Sequence, residues 1–105
     1  MSYSLDNTIS FLITKRKWAL VIIWHLRVES KRFKDLKLEL PSCSEKVLNE
    51  TLKELQGLKL VSKKKFEIYP KFSEYRLTKL GYATIPIILE IIDFETFYSL
   101  NKEKF

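Results

Sequence analysis

A mainly helical α+β fold is predicted by three observations. Val47, Leu48, Thr51, Leu52 and Leu55 recur at helical spacing just after a shorter amphipathic helix and a proline-containing turn. The pattern then changes to LVSKKKFEIYP and SEYRL, two runs rich in aromatic and branched residues with Pro70 between them, which read as a β-hairpin. A long helical pattern, TKLGYATIPIILEIIDFETFYSL, closes the chain. Two helices about a tight turn, followed by a hairpin, describe a winged helix-turn-helix with extra N- and C-terminal helices.

The elements follow in order. Leu5, Ile9, Leu12 and Ile13 suggest a short N-terminal helix. KWALVIIWHL, Lys17–Leu26, is apolar almost all round, so it should be the buried pillar of the fold. KRFKDLKLEL is read as one helix with Phe33, Leu36 and Leu40 inward, stopped by Pro41. The next helix has two available caps, Ser42 in a capping box with Glu45, or Ser44 directly. Gly57 is expected as its left-handed stop, with Leu58 packing back on Leu52. Thr78 should cap the last helix, and Pro86 should bend it near residues 84–86.

With 105 residues the chain suits one domain with a single modest core. Residues 15–78 would form the winged-helix core, and 1–14 and 79–105 dimerisation helices. One cysteine excludes an internal disulfide framework, no apolar run approaches the ~20 residues of a membrane span, and the N-terminus lacks a secretory pattern. A cytoplasmic protein without a membrane partner is the expectation. One histidine cannot complete a catalytic triad, one histidine and one cysteine do not make a zinc site, and there is no glycine-rich phosphate loop. Neither an enzyme nor a metal or other cofactor is expected, and His25 is read as a packing residue.

The formal charge of +6 favours a polyanionic partner. Its distribution is uneven. From Lys59 to Lys79 seven basic residues face two glutamates, whereas from Ser44 to Gln56 two lysines face three. The excess sits on the hairpin, and the helix before it carries both signs. This suggests a division of labour on double-stranded DNA. On the helix, Ser44, Glu45, Lys46, Asn49, Glu50 and Lys53 would meet base edges or nearby phosphates, and Asn49 suits an adenine edge. Lys63, Lys64, Lys65 and Lys71 would hold phosphates without reading sequence. Arg16, Lys17, Lys31 and Arg32 are further phosphate candidates, although Arg32 has Glu29 and Asp35 as alternative partners. Plain solvation of the helix face, or a lysine-protected edge strand, is the bland alternative.

Leu5, Ile9 and Leu12, with Ile87, Ile88, Ile91, Ile92, Phe94 and Phe97, exceed the apolar needs of so small a core and point to a dimer interface. Cys43 adjoins a helix start where the dipole and lysines can lower a thiol pKa, which makes it a redox candidate beside the commoner role of a small packed residue.

An ordered set of motifs resembles the HxlR-type family of bacterial and archaeal regulators. It comprises Lys17-Trp18, Trp24–Leu26, Lys31-Arg32-Phe33 with Leu36, and Leu40-Pro41 with Ser44, Lys46 and Leu48. It continues with Leu52, Leu55, Leu58 and Val61, then Glu74-Tyr75, Leu77-Thr78 and Leu80-Gly81, and Pro86. The resemblance implies a homodimer, joined through its first and last helices, that binds an operator as repressor or activator. Three departures stand out: Leu5 lies where relatives often carry a sensing cysteine, Lys15-Arg16 replaces a glycine pair, and Phe72 lies near the usual wing arginine. The leading expectation is a homodimeric, sequence-specific transcriptional regulator on a palindromic operator, with an effector left unknown. The alternatives are a winged-helix protein-interaction module and a thiol sensor acting through Cys43.

Overall fold

The computed structural model describes residues 17–104. The expected N-terminal helix, with Leu5, Ile9 and Leu12, and the phosphate candidate Arg16 lie outside the described residues.

Helix α1 (Lys17–Leu26) buries Ala19, Ile22, Ile23 and Leu26, with Trp18, Leu20, Val21 and Trp24 partly covered around them. Its pillar role follows from having apolar residues on nearly every side. Arg27 closes its C-terminal end. The guanidinium donates to the Trp24 carbonyl at 2.7 Å and lies 3.7 Å from the Trp24 ring centre.

The next segment differs from the expectation. Lys31 and Arg32 do not begin a helix but form a two-residue strand, β1 (Lys31–Arg32), and α2 is confined to Phe33–Glu39. The Asp35 carboxylate accepts from the Arg32 N–H at 3.0 Å, which caps the helix at Phe33 and leaves the two residues before it extended. Their backbone pairs with a later strand, a long-range partner that helical periodicity does not reveal.

After the turn at Pro41, α3 (Glu45–Gly57) starts at Ser44, whose Oγ accepts from the Val47 N–H at 3.1 Å. That decides between the two caps. Leu48, Thr51, Leu52 and Leu55 are buried, and Thr51 satisfies its hydroxyl by donating to the Val47 carbonyl at 2.7 Å. The helix end also differs from the expectation. Gly57 remains helical, and Lys59 takes the left-handed conformation at φ 63°. The Leu60 N–H returns to the Leu55 carbonyl and the Lys59 N–H to the Gln56 carbonyl, both at 2.9 Å, a Schellman closure two residues later than predicted. Leu60, in line with the Leu55 face, joins the core, while Leu58 is 49% exposed. Register with the apolar stripe thus outweighed glycine's conformational preference.

Strands β2 (Val61–Phe66) and β3 (Phe72–Leu77) form the hairpin, paired from Val61↔Leu77 to Phe66↔Phe72. β1 pairs with the other side of β3, so the sheet is three-stranded in the order β1-β3-β2, with β2 on an edge. The connection contains Pro70 after a cis Tyr69–Pro70 bond. The lysine triplet lies within β2.

Thr78 caps α4 (Lys79–Ala83) by accepting from the Gly81 N–H at 3.1 Å. The expected bend is a full break at Thr84, and α5 (Ile85–Asn101) carries Pro86 in its first turn, where no backbone N–H partner is lost. A 3₁₀ turn, Lys102–Lys104, follows. Ile88, expected at a dimer interface, is only 5% exposed and completes the core with Leu36, Leu40, Cys43, Val61, Tyr75 and Leu77. It faces inward because α5 packs its first turns on α1. Among the described residues, no helix is long and apolar enough to cross a membrane.

Gly81 sits directly against the Leu60 carbonyl, leaving no room for a Cβ. Gly81→Ala is therefore expected to cost about 1–3 kcal/mol in urea unfolding. Lys59→Gly, which relieves a left-handed non-glycine residue, should gain about 0.5–1 kcal/mol. Equal midpoints for both variants and the parent would contradict this description of the α3–β2 junction.

Candidate nucleic-acid interface

Burial of one α3 stripe turns the other outward. Ser44, Glu45, Lys46, Asn49, Glu50 and Lys53 are all exposed. Ser44 also serves as the cap, so its oxygen is engaged while its hydroxyl proton stays available.

The wing lysines are exposed but do not share a face. Lys63 and Lys65 lie on the side of Tyr75 and Ser73, and Lys64 lies on the other side, level with Glu74. Lys63 Nζ stands 5.7 Å from the Tyr75 ring centre, and Lys64 Nζ stands 5.0 Å from that of Phe66. Lys71 Nζ is 3.3 Å from Glu67 Oε2, an exposed pair that water screens and that Lys71 can leave at little cost.

A groove of about 480 Å³ joins the two halves of the site. Asn49 of α3 forms one wall, Lys63 and Tyr75 of the wing another, and Arg32, Lys34 and Phe72 the rim between them. Four cationic side chains and no carboxylate line it. An extended polyanion would meet α3 and the wing together there. Neither Lys34 nor the groove aromatics are among the phosphate or base contacts that the sequence suggests. The only hint was Lys34's place on the polar side of its helix.

Other candidates lie elsewhere. Lys31 is 14% exposed at its side chain and bridges Glu39 at 2.9 Å and Glu29 at 3.6 Å. The hydrogen bond that Lys31 donates to Glu39 holds its ammonium above the ordinary pKa. Glu39 in turn is held below the usual carboxylate range, by its hydrogen bond with His25 at 2.8 Å and then by that with Lys31. Lys31 and His25 thus tie β1 and α1 to the end of α2. Lys17 lies beside a second groove, of about 620 Å³, between α1 and α5, whose walls include Leu20, Ile87, Ile91 and Phe94. Along α5, Ile92 and Phe97 are also exposed.

Cys43 departs from the expected electrostatics. It is buried, and that burial pushes its thiol pKa up, with Lys37 pulling only weakly the other way.

A polar helix face set beside a cationic hairpin defines a winged helix-turn-helix, DNA-binding protein. A family model described as HxlR-like helix-turn-helix matches residues 12–103, and the chain belongs to that family. It is similar to the uncharacterized HTH-type transcriptional regulator YkvN of Bacillus subtilis (strain 168), 33% identical over 93 residues that span 85% of this chain and 79% of YkvN. The reduced form of the transcriptional regulator YodB from B. subtilis is 30% identical, with a TM-score of 0.77 over 90% of each chain. The redox regulator HypR in its reduced form shares the fold, with a TM-score of 0.82 at 24% identity over 95% of this chain and 97% of that one. The protein is accordingly a transcriptional regulator of the helix-turn-helix type.

Cys43 should react with iodoacetamide roughly tenfold or more slowly in the folded chain than after urea unfolding at neutral pH. Equal rates, followed by mass spectrometry, would mean that the thiol is reached without unfolding.

Proposed function

We propose that the chain works as a homodimer on a two-fold symmetric operator, with α3 reading bases and the wing gripping the flanking backbone. The observation that carries this reading is the groove in which Asn49, Lys63 and Arg32 face a common space. The α3 face is poor in net positive charge, so it adds little to non-specific attraction and suits discrimination. Glu45 and Glu50 can accept from cytosine amino groups and repel phosphates, which penalises misplaced docking. Lys46 and Lys53 then reach guanine edges or the backbone, and Ser44 a phosphate near the helix start. Lys63, Lys64, Lys65 and Lys71 supply the salt-sensitive attraction. Lys31 drops out of the phosphate set because its ammonium is held by Glu39.

Dimerisation is supported by apolar residues on α5 that the described chain leaves uncovered. Phe94 and Phe97 remain more than half exposed, and Ile87 and Ile91 line the α1–α5 groove. A second copy seated there, with the N-terminal Leu5, Ile9 and Leu12 contributing, would remove this surface from water. Two-fold symmetry would then set the recognition helices about 34 Å apart, on successive turns of the major groove.

Selection from a random duplex pool tests the whole reading. The parent should enrich a palindrome with half-sites about one helical turn apart. Lys63→Ala with Lys64→Ala should weaken binding to all duplexes alike and lower the salt slope by roughly 2, while Asn49→Ala relaxes preference within the half-site. An unenriched pool, or identical sequence profiles for parent and Asn49→Ala, would overturn these assignments.

A further inference from the structure

Arg32 occupies an unusual position. It is the last residue of β1, its register partner is Glu74, and its side chain lies diagonally across β3 so that the guanidinium carbon is 3.7 Å from the Phe72 ring centre. Phe72 is itself stacked on Phe66, with ring centres 4.7 Å apart and planes 14° from parallel. Lys64 stands over the far ring. A cation–ring–ring–cation series therefore runs across the outer side of the hairpin, and Arg32 is its end nearest the groove.

Two carboxylates lie close to Arg32 without pairing with its guanidinium. Asp35 accepts from the Arg32 backbone N–H, and Glu74 accepts from the Ser30 hydroxyl at 3.3 Å. Among the described residues the guanidinium forms no ion pair. A guanidinium stacked on a ring uses one face and leaves its edge N–H groups free in the plane, where they form a fork matched to phosphate oxygens. The groove beside it carries Lys34 and Lys63 and no acid.

We propose that Arg32, laid on Phe72, is a pre-oriented clamp for one backbone phosphate of bound DNA, and that Phe72 is its positioning residue. The inference rests on the DNA-binding reading and adds one contact to it. The ring limits the rotamers that a free arginine would lose on binding, so less entropy is spent when the phosphate arrives. Because Phe72 and Phe66 close the end of the β2–β3 ladder, the clamp also fixes the wing's outer half relative to β1.

A double-mutant cycle with a fluorescently labelled random-sequence duplex, titrated at several salt concentrations, tests this. Arg32→Ala should weaken binding about tenfold and make the salt slope shallower by about 0.9, the loss of one phosphate contact. Arg32→Lys should keep the slope without recovering the affinity, since a point charge lacks the fork. Phe72→Leu should weaken binding about two- to fivefold. It should add nothing when combined with Arg32→Ala. Phe72→Tyr retains the ring and should bind like the parent, which separates loss of the stack from loss of the fold. Parental affinity and slope for Arg32→Ala would overturn the clamp while leaving DNA binding intact. A Phe72→Leu effect that persists in the Arg32→Ala background would overturn the positioning role. A parent with no salt-dependent duplex binding would overturn both the clamp and the reading beneath it.

Discussion

The relation between the recognition helix and the wing depends on one backbone junction, at Leu60. Its N–H closes α3 on the Leu55 carbonyl, and its own carbonyl accepts from the Thr78 N–H at 3.1 Å. Thr78 Oγ1 donates to the neighbouring Lys59 carbonyl at 2.6 Å and accepts from Gly81. The end of α3, the start of β2, the end of β3 and the start of α4 therefore meet at one cluster of satisfied polar groups. Gly81 must be small because the Leu60 carbonyl occupies the space where a side chain would begin. Loosening this junction would let the wing swing relative to α3, and a groove with one wall on each would lose its shape.

From that fixed angle follows a separation of charge. The α3 stripe of Leu48, Leu52 and Leu55 is buried, which obliges Asn49, Glu50 and Lys53 to face outward as a mixed-charge surface. Such a surface is a poor magnet for DNA and a good discriminator. In the proposed reading the attraction falls to β2, an edge strand whose lysines also discourage pairing with another sheet. The bland purpose of those lysines and their functional one are compatible, since both need an exposed cationic edge. Ion pairs at the back of the site do another job: Glu39, shared by His25 and Lys31, fastens α1 and β1 to α2.

Much of this was legible in the chain because it is local. The apolar surround of α1, the α3 stripe, the Thr78 cap and an interruption of the last helical run just before Pro86 each follow from spacing or from one residue's chemistry. What the sequence concealed is long-range or collective. Lys31 and Arg32 read as helix because their strand partner is more than forty residues away. Gly57 read as the stop because glycine is the usual left-handed residue, yet Lys59 takes that conformation so that Leu60 can meet the core. Ile88 read as dimer interface because nothing local distinguishes it from Ile87, and only the packing of α5 on α1 separates them. The Arg32–Phe72 stack joins two residues with no sequence relation at all.

In the proposed reading DNA lies across α3 and the wing while α5 serves another purpose. Amide shift mapping of the isotopically labelled chain, titrated with a duplex carrying the selected site, tests it most directly. Perturbations should concentrate between Ser44 and Lys53, along Lys63–Lys65 and at Arg32, with the amides of the Phe94–Phe97 stretch unmoved. Perturbations centred on α5, with α3 silent, would contradict it.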